Sequence, residues 1–362
     1  MCIIRINTLR VFFDIFNNKH IQMTSWINNP GKQLNIGYRQ NLPEGKFSLD
    51  KNGVTVVSAF YIMKSAHTLD EYKRWMKPFL ENVPCHLIFY TEEQLVPFIR
   101  ECRRAYEDIT DVIVIPKHEW IANKRFPKTV WEDLLKLDTN TNASSDLYKF
   151  YYEKKEFIKR TIKSNPFGHT DYLWMNAGIC KSPEILSMIK AKFPLSSRIP
   201  IDKVMLYNST PFDYSDEKIR IYGSDVILGA RNRSRICSNI IAASATRWLE
   251  FCDIYDSTIG KFIRAKLFWG MDQAILSCLV MENKINISLI EYKNIVPDAW
   301  KSQYALLYLG CPENVFKVLR DSSQNGKKKT ENELTTLAEV YEAPKVESNE
   351  VCSEHVCKKC GC

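Results

Sequence analysis

An α/β fold with a Rossmann-like, mainly parallel sheet flanked by helices is predicted by three features of this 362-residue chain. Short β-branched and aromatic runs alternate with segments of helical period, the pattern of strands joined by crossover helices. Crossovers of that kind are right-handed and cover both faces of the sheet, so the strands read as unbroken apolar runs. Hydrophobic residues form 45% of the sequence, enough for the large core such a sheet needs.

Residues 1–52 are read as an N-terminal appendage. They carry Asn28, Asn29, Pro30 and Gly31, then Pro43, Glu44 and Gly45, without a sustained period. The apolar stretch from Ile3 to Phe16 is interrupted by Arg5, Arg10 and Asp14, which fits neither a membrane span nor a signal peptide. A cytoplasmic protein without a transmembrane segment is expected.

The main domain is placed at 53–320. Val54 to Tyr61 (VTVVSAFY) reads as a buried strand, and Asp70 to Leu80 as a helix with Tyr72, Trp75, Met76 and Phe79 on its apolar side. Cys85 to Tyr90 is the next strand, Thr91 a candidate N-cap, Glu92 to Tyr106 a helix, and Val112 to Ile115 a third strand stopped by Pro116. Asp146 to Lys163 reads as a long helix closed by Asn165 and Pro166, and Tyr172 to Met175 as a strand leading into a loop at Asn176. Further on, Asp225 to Ala230 reads as a strand, Ser238 to Phe251 and Met271 to Met281 as helices, and Ile287 to Ile290 as a late strand. Residues 321–362 form a polar linker and a Cys-rich tail.

A net charge of +8 spread over mixed surfaces suits an anionic ligand, and lacks the dense basic stripe that nucleic-acid binding requires. Cys2, Cys85, Cys102, Cys180, Cys237, Cys252, Cys278 and Cys311 lie in apolar stretches as small buried hydrophobes, with no disulfide framework. The sequons at Asn142, Asn208, Asn232 and Asn286 carry little weight in an Asn-rich chain. In the tail, Cys352, His355, Cys357, Cys360 and Cys362 are dense in soft ligands; they are read as an oxidation-prone unstructured segment, with Zn²⁺ binding as the alternative.

Six segments, in order, resemble the HtrL/YibB (WlaTC-like) family, which includes proteins described as glycosyltransferases. They are VTVVSAFY at 54–61, the Tyr72 and Trp75 pair, HLIFYTEE at 86–93, LYKFYYEKKEFIKRTIKSNPF at 147–167, DYLWMNAGIC at 171–180 and WGMDQAIL at 269–276. The resemblance spans residues 54–310 and implies a GT-A-like glycosyltransferase architecture. It also implies a nucleotide-sugar donor held at the carboxyl ends of the strands, which is where open α/β sheets generally bind ligands.

On that reading Phe60 and Tyr61 meet the nucleoside base, or else pack under the first helix. Lys154 aligns with a family Lys able to meet a diphosphate, although Lys155, Lys159 and Lys163 beside it suggest an ordinary solvated basic face. Trp174, Asn176, Ala177 and Gly178 match a family pattern of aromatic, apolar, Asp, Ala, Gly, with Asn176 standing where the pattern has Asp. An Asp there can bind Mn²⁺ or Mg²⁺; an amide oxygen can coordinate too, but without charge. Asp171 cannot replace it, lying about 16 Å away along the strand and on the opposite face. Asp272 and Gln273 match an acidic-plus-Gln pair, with Asp272 a helix cap, a general base for the acceptor hydroxyl, or both, and Gln273 on the acceptor. Two functions follow: a glycosyltransferase, or a sugar-nucleotide-binding or interaction protein without catalysis. No Gly-x-Gly-x-x-Gly follows the first strand, which disfavours other Rossmann-like enzymes.

Overall fold

The computed structural model describes residues 53–138, 143–210, 212, 218–221, 224–227, 235–282, 285–291 and 298–313. The appendage and the Cys-rich tail lie outside these residues.

The chain enters on β1 (Val54–Ala59), buried along its whole length as a central parallel strand must be. Thr68 then opens α1 (Leu69–Asn82) with a capping box, its hydroxyl accepting from the Glu71 amide while Glu71 accepts from the Thr68 amide. Strand β2 (Leu87–Thr91) pairs with β1, and β3 (Thr110–Val114) with β2, all parallel. Between these two strands the expected single helix is broken. Thr91 belongs to β2, the helix proper is α2 (Val96–Cys102), and 3₁₀ turns flank it at Glu93–Leu95 and Arg104–Ile109. Arg103, at the break, is buried and donates to the carbonyls of Val83 at 2.7 Å and Cys85 at 2.9 Å, satisfying the backbone that leaves α1.

After two short helices, α3 (Ile121–Arg125) and α4 (Lys128–Leu137), comes α5 (Ser145–Ser164), capped by Ser144 and terminated by Asn165 in the left-handed region at φ 37°. Strand β4 (Asp171–Met175) returns to the far side of β1, so the order of strands reverses between β1 and β4. The carboxyl ends of those two strands are therefore the topological switch point of the sheet.

The second half holds α6 (Pro183–Ile189), β5 (Val204–Asn208), a separate two-stranded ribbon of β6 (Lys218–Ile221) and β7 (Ser224–Ile227), β8 (Ile236–Ser244), α7 (Ala245–Arg264), α8 (Asp272–Glu282), β9 (Ile287–Glu291) and α9 (Tyr304–Gly310). The main sheet has seven strands in the order β3-β2-β1-β4-β8-β5-β9, and β8 alone runs against its neighbours. Two expectations are corrected here. The helix expected from Ser238 begins at Ala245, because residues 236–244 are a strand, and β5 has no counterpart in the sequence reading. The strand expected at 225–230 is β7 as far as Ile227; its remaining residues lie outside the description.

Helix α5 is the hub of one layer. Phe157 stacks on Tyr90 of β2 and on Trp174 of β4, while α3 and α7 flank the helix. A helix enclosed on several sides leaves little solvated face for its polar residues, here Lys163, which is exposed, and Lys159, which is partly buried. Glu153, Lys154, Lys155 and Glu156 are accordingly all buried, which corrects the solvated basic face expected of Lys154 and Lys155. Among the described residues no helix is long and apolar enough to cross a membrane, and Cys85, Cys102, Cys180, Cys237, Cys252, Cys278 and Cys311 are buried and form no disulfide.

Candidate active site

At the switch point β4 ends in Trp174, Met175 and the turn from Asn176. Trp174 is fully buried against Phe157, and its indole N–H donates to Asn176 Oδ1 at 2.9 Å. That donor fixes the amide's orientation: oxygen toward the tryptophan, Nδ2 away from it. The Asn176 Nδ2 donates to no described residue, whereas its backbone N–H donates to the Asn239 carbonyl of β8 at 2.8 Å. The side chain thus offers N–H donors outward, which suits an anion or a hydroxyl oxygen. Ala177 and Gly178 turn inward onto α1 and line a cavity of about 10 Å³ with Met76 and Phe79, room for about one water. Gly178 has φ 73°, and a Cβ there would lie 3.1 Å from the Trp75 Cβ, so the position needs glycine for both backbone and space.

Next to this loop the fold joins residues far apart in sequence. Lys154 Nζ donates to Asp272 Oδ2 at 2.7 Å across a separation of 118 residues, and to Ser238 Oγ at 3.1 Å. Both charged side chains are 6% exposed. The Lys154 ammonium also lies 5.8 Å from the centre of the Trp174 ring, whose N–H holds Asn176. Lys154, Trp174, Asn176, Ser238 and Asp272 therefore form one connected group at the carboxyl end of β4.

Each member is placed by a local device. Asp272 begins α8 after Gly270, where a Cβ would approach the rings of Tyr148 and Phe268 to 2.9 Å; glycine lets the chain pass beneath them. Ser238 is placed by an irregularity in β8: Leu206 of β5 pairs with Ile241 but Tyr207 with Cys237, so the strand bulges over 238–240. Gln273 is buried in the same first turn of α8, its carbonyl accepting from Ser277 at 2.8 Å.

The other expectations divide. Phe60 is half-buried and packs at 5.0 Å on Tyr72, at the edge of the switch point. Tyr61 is 1% exposed, stacked on Phe157 and edge-on to Trp120, so it packs beneath α5 rather than under the first helix, where Phe60 alone of the two lies. Asp171 pairs with Val54 and Ser244 at the opposite end of β4 from Asn176, as its spacing requires. Cys352, His355, Cys357, Cys360 and Cys362 lie outside the described residues.

A divalent cation does not fit this donor set. Asn176 Oδ1 is engaged by an indole N–H, and the nearby carboxylate of Asp272 is neutralised by a lysine. Among the described residues no group of three His, Cys, Asp or Glu side chains is placed to hold a metal.

No family model and no curated protein matches the chain. A solved structure does. The fold is similar to that of mouse xyloside xylosyltransferase 1 in its apo form, with a TM-score of 0.42 and 11% identity over 72% of this chain and 93% of that one.

Sequence reasoning missed Ser238 because it assigned that residue to a helix, and the bulge that aims it arises only from pairing with β5. It also missed a second charged cluster one residue along α5. Lys155 Nζ lies 3.0 Å from Asp256 Oδ1 and contacts Glu156, while Arg125 donates to Asp256 Oδ2 at 2.6 Å and to Tyr152 at 2.8 Å. Burial opposes ionisation of Asp256, but Lys155 and Arg125 together outweigh it and hold the carboxyl below its usual range.

Proposed function

We propose that the protein is a glycosyltransferase that moves a sugar from a nucleotide donor to an acceptor hydroxyl. The observation that carries this reading is the pairing of Lys154 with Asp272 beside the switch point, a cation and a carboxylate where an α/β sheet binds its ligand. The resemblance of residues 54–310 to the HtrL/YibB family is in keeping with it. Transfer breaks the bond between the anomeric carbon and the diphosphate oxygen and forms one from that carbon to the acceptor oxygen. The acceptor proton passes to Asp272, and Lys154 with the Asn176 Nδ2 meets the charge left on the diphosphate. Phe60 borders the base, and Gln273 supports the acceptor side.

A second reading, a sugar-nucleotide binder without catalysis, is favoured by Asn176 in place of the family Asp. The two separate in one experiment. The protein is incubated with a panel of nucleotide sugars and hydroxyl acceptors, with and without Mn²⁺, while thermal stability and nucleotide release are followed. Nucleotide release that is lost in Asp272→Asn supports the transferase; stabilisation without release supports the binder. A panel in which no nucleotide sugar stabilises the protein removes both. Asn176→Asp tests the metal: with a second carboxylate at the loop, a Mn²⁺ response that the native donor set does not support should appear.

A further inference from the structure

We infer that the Lys154–Asp272 pair is a latch that an incoming diphosphate must open before Asp272 can serve an acceptor, so that binding is ordered, anion first. This rests on the reading of Lys154 as the diphosphate ligand, and it adds what the resting pair does to that ligand and to the base.

The geometry makes the two roles exclusive. Lys154 reaches Asp272 Oδ2 at 2.7 Å and Ser238 Oγ at 3.1 Å, with the Ser238 carbonyl at 3.4 Å, which accounts for the three N–H bonds an ammonium can donate. A diphosphate oxygen can bind this ammonium only by displacing one of those partners, and the anionic partner is the one it replaces in kind. Asp272 in turn has no hydrogen bond from a described residue other than Lys154. Once Lys154 turns to the diphosphate, the carboxylate stands without its counter-charge in a 6%-exposed position. A buried carboxylate in that state gains most from a new hydrogen-bond donor, which an acceptor hydroxyl is. Before the donor arrives, the same carboxylate is neutralised and has little to offer an acceptor. The loop is coupled to the same event, since Lys154 lies over the ring of Trp174 and that ring's N–H orients Asn176.

The test uses the full chain and inorganic pyrophosphate as the probe, with affinity measured by titration calorimetry and folding checked by circular dichroism. Removing the competing charge in Asp272→Asn should tighten pyrophosphate by about tenfold, the size of one lost charge-assisted hydrogen bond. Lys154→Met should abolish binding and Lys154→Arg should retain it. Should Asp272→Asn fail to fold, Asp272→Ser takes its place with the same expectation. Unchanged or weakened pyrophosphate affinity on loss of Asp272, or binding that survives Lys154→Met, overturns the latch. Sugar transfer with no such coupling would leave the transferase standing and sink only the latch. Coupling without transfer would keep the latch on a binding protein.

Discussion

Lys154 and Lys155 are neighbours on α5, equally buried, each paired with an aspartate from the C-terminal half of the chain, yet their surroundings differ in kind. Lys155 is saturated: Asp256 and Glu156 share its charge, the Tyr152 ring lies 4.0 Å beneath it, and Arg125 closes the network from the far side. Lys154 also has its three N–H bonds filled and lies 4.9 Å from the Tyr151 ring and 5.8 Å from the Trp174 ring, but only one of its partners, Asp272, carries a charge. A cluster in which every charge has several partners holds α3, α5 and α7 together and has nothing left for a ligand. A pair with one exchangeable contact is stable at rest and open to competition. The difference separates an architectural tie from a candidate site within one helical turn.

The largest effect should come from breaking the saturated side. Asp256→Ala leaves Lys155 and Arg125 buried together without their shared counter-ion and should lose about 3–5 kcal/mol in denaturant unfolding, the range for removing one partner of a buried pair. Asp272→Asn, which keeps an acceptor for Lys154, should lose clearly less. Equal losses would erase the distinction between the two lysines.

Glu153, one residue before Lys154, contributes one limb of the pH dependence. Burial raises its carboxyl from 4.5 to about 7, although the amides of Ile121 and Ala122 both donate to it. The folded state therefore binds more protons than the unfolded state between those values, so stability falls as pH rises from 4.5 to about 7 and levels above that. The shift is equivalent to roughly 3 kcal/mol over that window. Glu153→Gln should flatten this limb in unfolding midpoints taken across the range. Asp256 has the opposite sign: its lowered carboxyl contributes stability above the usual carboxylate range that is lost as pH falls through the lowered value.

A smaller effect is expected at the loop. Gly178→Ala forces φ 73° on a residue with a Cβ and crowds Trp75, and should cost about 1–3 kcal/mol in unfolding experiments. Because Asn176 leads into the same turn and is held by Trp174 at the end of β4, the variant should also weaken nucleotide-sugar affinity more than its stability loss explains.

Much of the first half was legible in the sequence. The runs at β1, β2 and β4 are largely apolar because these strands are covered on both faces, and the end of α5 is marked in the chain by Asn165. The second half was less so. In ICSNIIAAS of β8 the apolar residues are small or lie at spacings that also suit a helix, and a strand buried on both faces shows no alternation to decide the matter. The sheet partners β4 and β5 decide it instead.

The candidate residues divide along the same line. Lys154, Asn176 and Asp272 were marked by the resemblance to the HtrL/YibB family; the chain itself punctuates only the strand end at Asn176 and the helix start at Asp272. Their meaning was set by tertiary structure. Burial of four consecutive charged residues on α5 follows from helices and sheet closing around it, which no periodicity within α5 encodes. The meeting of Lys154 with Asp272 and Ser238 depends on β8 running antiparallel beside β4 and bulging at the right place. Contacts between residues separated by 118 and 84 positions are products of chain topology, and only the folded sheet brings them into reach.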